Sequence, residues 1–154
     1  MSLDVYLVAK NPVVTKGTGI FVREGGKTKE LTLDEAKERY PNHEVSEFER
    51  EELYAYQANI TGNLGRMADQ VKIGERTLYD YLWGLDDIRP KIKTAKRLVT
   101  PLQKGLNELI KNPEKYEPFN PDNGWGSYDG LCDFVYNYLK ACVKNPDCKI
   151  EVCR

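Results

Sequence analysis

Leu53-Tyr-Ala-Tyr-Gln-Ala-Asn-Ile60 runs directly into Thr61-Gly-Asn-Leu-Gly-Arg-Met-Ala-Asp-Gln-Val71, and the hydrophobic period changes from two to 3.6 at the join. The first segment reads as a strand. In the second, Leu64, Met67, Ala68 and Val71 fit one helical face. Strand signals lie mostly before this point and helix signals after it. That segregation predicts an α+β fold.

Working back from the join, Glu44–Ile60 has room for one or two strands. Thr32-Leu-Asp-Glu35 is a capping box for a short helix through about Tyr40, stopped by Pro41. Ile20–Glu24 and Lys27–Leu31 flank Gly25-Gly26, a two-residue hairpin signal. Residues 10–19, rich in Gly, Pro and Thr, read as a loop. Leu3, Val5 and Leu7 alternate with Asp4 and Tyr6, which predicts a half-buried opening strand.

Forward of the join, Leu78, Tyr81 and Leu82 fit a second helical face. A long apolar stripe follows from Ile92 to Ile110, with Thr100-Pro-Leu-Gln103 marking a kink or a helix restart. Asn112-Pro113 ends that helix, and residues 113–126 read as a long loop. Leu131, Phe134, Val135, Tyr138, Leu139 and Cys142 mark the last helix. Lys149–Arg154 reads as a closing strand antiparallel to the first. The expectation is a single domain, residues 1–154: a small antiparallel sheet of the N-terminal strand, the hairpin, a middle strand and the C-terminal strand. Four to five helices pack on one face.

The chain has 154 residues, and a formal net charge of −1 argues against nucleic acid or an anionic membrane as partner, a local patch aside. No stretch approaches the roughly 20 apolar residues of a membrane span. The start reads as a strand and not as a signal peptide, so the four cysteines are expected as reduced thiols in a cytoplasm. Their spacing matches no usual zinc pattern, and His43 is distant, so no metal or other cofactor is expected. Nothing in the sequence marks a nucleophile with its base.

Three segments are candidates for function. Asn123-Gly-Trp-Gly-Ser-Tyr128 joins an aromatic residue to a helix start, with Ser127 as N-cap and Tyr128 and Asp129 as the first helical residues. A flat or anionic ligand could be gripped there, but Asp129 already fills the position favoured by the helix dipole. The plainer reading makes Trp125 a core plug and the glycines a tight turn. At the strand-to-helix junction, Asn59, Thr61, Asn63 and Arg66 offer a cap, polar groups and a cation with no acid in the first turn, which suits an anion better. Ordinary capping explains the same residues. Residues 64–83 have apolar spacing compatible with a helix-turn-helix. Lys72 stands at the turn where glycine is usual, however, and Glu75 and Asp80 would repel phosphates. A helical hairpin in the core has the same spacing. The basic segment Arg89–Arg97 reads as a solvated helix face.

Met1-Ser-Leu-Asp-Val-Tyr-Leu7, the segment Asn59-Ile-Thr-x-Asn63-Leu-x-x-Met67-Ala68 and the loop Asn123-Gly-Trp-Gly-Ser-Tyr-x-Gly130 together resemble a family of small hypothetical proteins of bacteria and their phages. The resemblance spans nearly the whole chain. It implies a cytoplasmic protein of that setting and carries no activity. The leading expectation is a non-enzymatic binding or interaction domain using Asn59, Thr61, Asn63, Arg66, Trp125, Ser127 and Tyr128, with a protein or small anionic ligand as partner. Alternatives are an enzyme acting on a small anion near Thr61–Arg66 and a DNA-binding regulator.

Overall fold

A computed structural model describes residues 1–154. The chain starts with strand β1 (Leu3–Gly17), hairpin strands β2 (Phe21–Glu24) and β3 (Lys27–Glu30), helix α1 (Leu33–Arg39) and strand β4 (Phe48–Ile60). Helix α2 (Gly65–Asp69), strands β5 (Lys72–Ile73) and β6 (Arg76–Thr77) and helix α3 (Leu78–Leu82) follow. The chain closes with α4 (Lys96–Lys111), α5 (Pro113–Tyr116), α6 (Tyr128–Lys144) and β7 (Lys149–Cys153). The fold is α+β, 41% helical and 30% strand. The chain divides into two compact units, Met1–Lys10 with Tyr54–Arg154, and Asn11–Leu53.

The first unit contains the large core. Its sheet has the order β4-β1-β7 and is antiparallel, with Val5 opposite Val152 and Leu7 opposite Ile150. Leu3, Val5 and Leu7 are fully buried among helical side chains such as Leu98, Leu102, Leu131 and Val135. The alternating residues Asp4 and Tyr6 lie on the opposite face, as a period of two dictates. Tyr56 on β4 stacks on the buried Tyr138 of α6, with ring centroids 6.0 Å apart. Helices α4 and α6 run antiparallel: the Tyr128 hydroxyl donates to the Leu109 carbonyl, and the Lys96 N–H donates to the Pro146 carbonyl. Before α4 begins, residues 93–95 bond to the C-terminal strand and its approach, through Ile150 N–H to the Lys93 carbonyl and Ala95 N–H to the Cys148 carbonyl.

In the unit Asn11–Leu53, β2 and β3 pair across Gly25-Gly26, whose φ values of 57° and 77° are the left-handed ones such a turn needs. The hairpin is a separate two-stranded ribbon and does not join the main sheet. Thr32 caps α1 with the expected reciprocal bonds to Glu35. Arg50 pairs with Glu30, whose carboxylate also accepts from the Gly19 N–H. Thr18, Leu31 and Ala36 are the buried residues of this unit.

Four expectations need correction. Residues 10–17 belong to β1 and not to a loop. Helix α4 runs unbroken through Pro101, without a restart. Residues 113–119 form α5 and a further short helical turn, each opened by a proline (Pro113, Pro118) near its start. Residues 64–83 are neither a helix-turn-helix nor a simple helical hairpin. The β5–β6 hairpin, turning at Gly74 (φ 64°), stands between two five-residue helices. Leu78 and Leu82 of the second helix are fully buried.

Candidate functional site at the Trp125 loop

The loop preceding α6 is built from its hydrogen bonds outward. The Asn123 side-chain carbonyl accepts from the Trp125 N–H at 2.9 Å, closing a local turn. Gly124 (φ 74°) and Gly126 (φ 108°) occupy backbone regions that favour glycine. A Cβ on Gly126 would lie 2.9 Å from both Thr61 Cγ2 and Leu64 Cγ, so the loop backbone rests directly on the 61–64 turn. The structure thus brings two of the candidate segments together.

Trp125 is 71% exposed. It is not the core plug that its flanking glycines suggest; Leu64 fills the space beneath the loop, and the indole stands outside. In the segment that carries the loop, Asn63 and Arg66 are exposed. The Arg66 guanidinium lies 5.6 Å from the centroid of the Phe119 ring, a cation–π arrangement that restrains its long side chain.

Ser127 is the N-cap of α6, its hydroxyl accepting from the Gly130 N–H at 3.1 Å. The Tyr128 N–H is taken by the Asn120 side chain at 2.7 Å. Tyr128 is buried, and burial pushes its phenol up to about 12, so it serves as a structural anchor and not as a surface contact. With these donors used and Asp129 in the first turn, little of the helix start is left for an anion.

The Thr61 turn is similarly self-contained. The Thr61 hydroxyl accepts from the Asn63 N–H, and its carbonyl accepts from the Leu64 N–H. Asn59 points elsewhere. Its amide donates to the Asp4 carboxylate at 2.7 Å, in a shallow cavity of about 360 Å³ that Asn63 and Trp125 do not line. Phe119 and Asn120 are the contributors that lie outside the candidate segments of the sequence. They sit in the stretch taken for a loop, where Pro113 and Pro118 were the available signal.

No group of three or more His, Cys, Asp or Glu side chains is placed to hold a metal ion. Burial pushes the Cys142 thiol up to about 12, which keeps it protonated and unreactive. No helix is long and apolar enough to cross a membrane. No protein-family model, curated protein or solved structure matches the chain.

Proposed function

We propose that the protein is a non-enzymatic binding domain whose contact surface is the Trp125 loop, with Asn63 and Arg66 beside it. The observation that carries this reading is the 71% exposed indole held on a loop fixed by its own hydrogen bond and by its seat on the 61–64 turn. Tryptophan and arginine are the side chains that most often dominate interface energetics. A loop already ordered loses little further entropy on binding. The partner is a protein with an apolar pocket for the indole and an acidic or carbonyl group for Arg66. The resemblance through the segments around Leu3, Asn59 and Trp125 supports a bacterial or phage cytoplasm as the setting. An enzyme acting on a small anion at Thr61–Arg66 has less support, because the donors of that turn bond within it.

Affinity capture with the full chain tests the reading. The wild-type protein is expected to retain a partner from an extract of its source cells that Trp125→Ala loses, while both unfold at the same temperature. Equal retention by the two proteins, or no retained partner, would rule it out.

A further inference from the structure

The basic segment before α4 does not form a helix face. Residues 93–95 run along β7 instead: the Ile150 N–H donates to the Lys93 carbonyl at 3.0 Å, the Ala95 N–H donates to the Cys148 carbonyl, and Thr94 bridges Lys149. They cover that edge of the main sheet. The other edge is β4, which in the order β4-β1-β7 pairs on one side only. Its second side presents a row of backbone N–H and C=O groups with no strand to pair.

Such rows are normally blunted by charge, proline or shortness. The first half of β4 carries Glu49, Arg50, Glu51 and Glu52. Its second half, Tyr54-Ala-Tyr-Gln-Ala-Asn-Ile60, has no charge and no proline. Contacts settle which way its residues face. Tyr56 stacks on Tyr138, Ala58 packs against the core and Ile60 is buried, so these three face the helices. Asn59 donates to Asp4 and Gln57 is exposed, so these two lie on the outer face. Val5 and Leu7 on the central strand are fully buried, whereas Tyr56 and Ala58 are only half-buried. The core is incomplete along the same edge that lacks a strand.

The segment itself selects the strand that fits. A charged foreign strand finds no opposite charge on residues 54–60. A second copy, turned antiparallel about a twofold axis through Gln57 and normal to the sheet, pairs all seven uncharged residues among themselves. Tyr56 then meets Ala58 of the second copy on the core face, large against small. On the outer face Ala55 meets Asn59, and Gln57 meets Gln57. Moving the axis to Tyr56 or Tyr54 brings Glu52 into the ladder, opposite Ile60 or Tyr56. With the axis at Gln57, the side-chain period of two keeps both helix layers on one side of the joined sheet.

We propose that the chain forms a homodimer by antiparallel pairing of β4 with β4 of a second copy across residues 54–60. The segment shares no residue with the Trp125 loop, Asn63 or Arg66, and the dimer stands whether or not that surface binds a partner.

Sedimentation equilibrium of the full chain between about 1 and about 200 μM tests it. A reversible monomer–dimer equilibrium with a Kd below about 100 μM is expected, as suits an interface at the small end of the specific range. Gln57→Lys and Gln57→Glu each set like charges against each other across the axis and should weaken self-association about fivefold. Mixing the two variants should give a heterodimer about tenfold tighter than either homodimer, since the facing charges are then opposite. Lys104→Gln, on α4, changes the net charge by as much as Gln57→Glu and should dimerise like the wild type. Far-UV circular dichroism should show all variants folded. A monomer at every concentration overturns the proposal. Gln57 variants that dimerise like the wild type overturn it too, because the contact then lies elsewhere. So does a mixture that gains nothing over the separate variants, because Gln57 then does not face itself across the axis.

Discussion

Gly126 shows how much one hydrogen atom in place of a side chain decides. Its φ of 108° is strained for any other residue, and the space a methyl group would need is occupied by Thr61 and Leu64. Gly124 (φ 74°) has the same backbone demand but open space around it. Gly124→Ala is therefore expected to cost about 1 kcal/mol, the backbone penalty alone. Gly126→Ala should cost about 2–4 kcal/mol, since overpacking adds to that penalty. Denaturant unfolding of the two variants measures the difference; equal costs would mean that the loop lifts freely from the turn. The glycines were legible in the sequence as turn formers. The outward direction of Trp125 was not, because a large aromatic between glycines is compatible with either side of a turn. What decides is Leu64, which already fills the site beneath, and that contact joins residues about sixty positions apart.

Among elements, local signals succeeded where the local bonds themselves define the structure. The Thr32 capping box, the Gly25-Gly26 hairpin, the Ser127 cap and the pairing of the first and last strands are all present. They failed where a distant partner overrides propensity. Pro12 made residues 10–19 look like a loop, yet Val13, Val14 and Thr15 are β-branched and favour a strand. The proline is tolerated because β7 pairs with β1 only from Asp4 to Val8, so at Pro12 that side of β1 has no β7 partner to bond. Pro101 is the parallel case in a helix. It denies the Arg97 carbonyl its usual donor, but α4 continues because Leu98, Leu102, Leu106 and Leu109 bury its apolar stripe on both sides of the proline. Restoring the donor with Pro101→Ala should raise stability by about 1–2 kcal/mol, the helix gain exceeding the added freedom of the unfolded chain. The urea midpoint should rise with an unchanged slope. A fall would mean that the proline ring contributes more by packing than it costs in hydrogen bonding.

For the whole chain, the two units rest on different chemistry, and pH separates them. In Asn11–Leu53 few residues are buried, so ion pairs contribute a larger share of its order. Arg50 holds the Glu30 carboxyl below its ordinary value, helped by the Gly19 N–H, and Lys29 does the same for Glu35 with help from Thr32. A depressed carboxyl stabilises the fold above its unfolded value near 4.5, and that contribution is lost as pH falls through the lower folded value. In the larger unit the sign is opposite. Burial raises the Cys142 thiol from 9.0 to about 12, so its contribution is complete below pH 9 and is lost as pH rises toward 12. Acid should therefore loosen residues 11–53 first, and alkali should loosen the core around α6. Pepsin at acid pH is expected to cut within 11–53 before it cuts α4 or α6. At the other extreme, Cys142→Ala should flatten the loss of stability between pH 9 and 12. Early pepsin cuts in α4 or α6 would show that the core yields to acid as readily as the ion-paired unit. An unchanged alkaline slope in Cys142→Ala would mean that another buried acid, with Tyr128 the nearest choice at about 12, sets the alkaline limit.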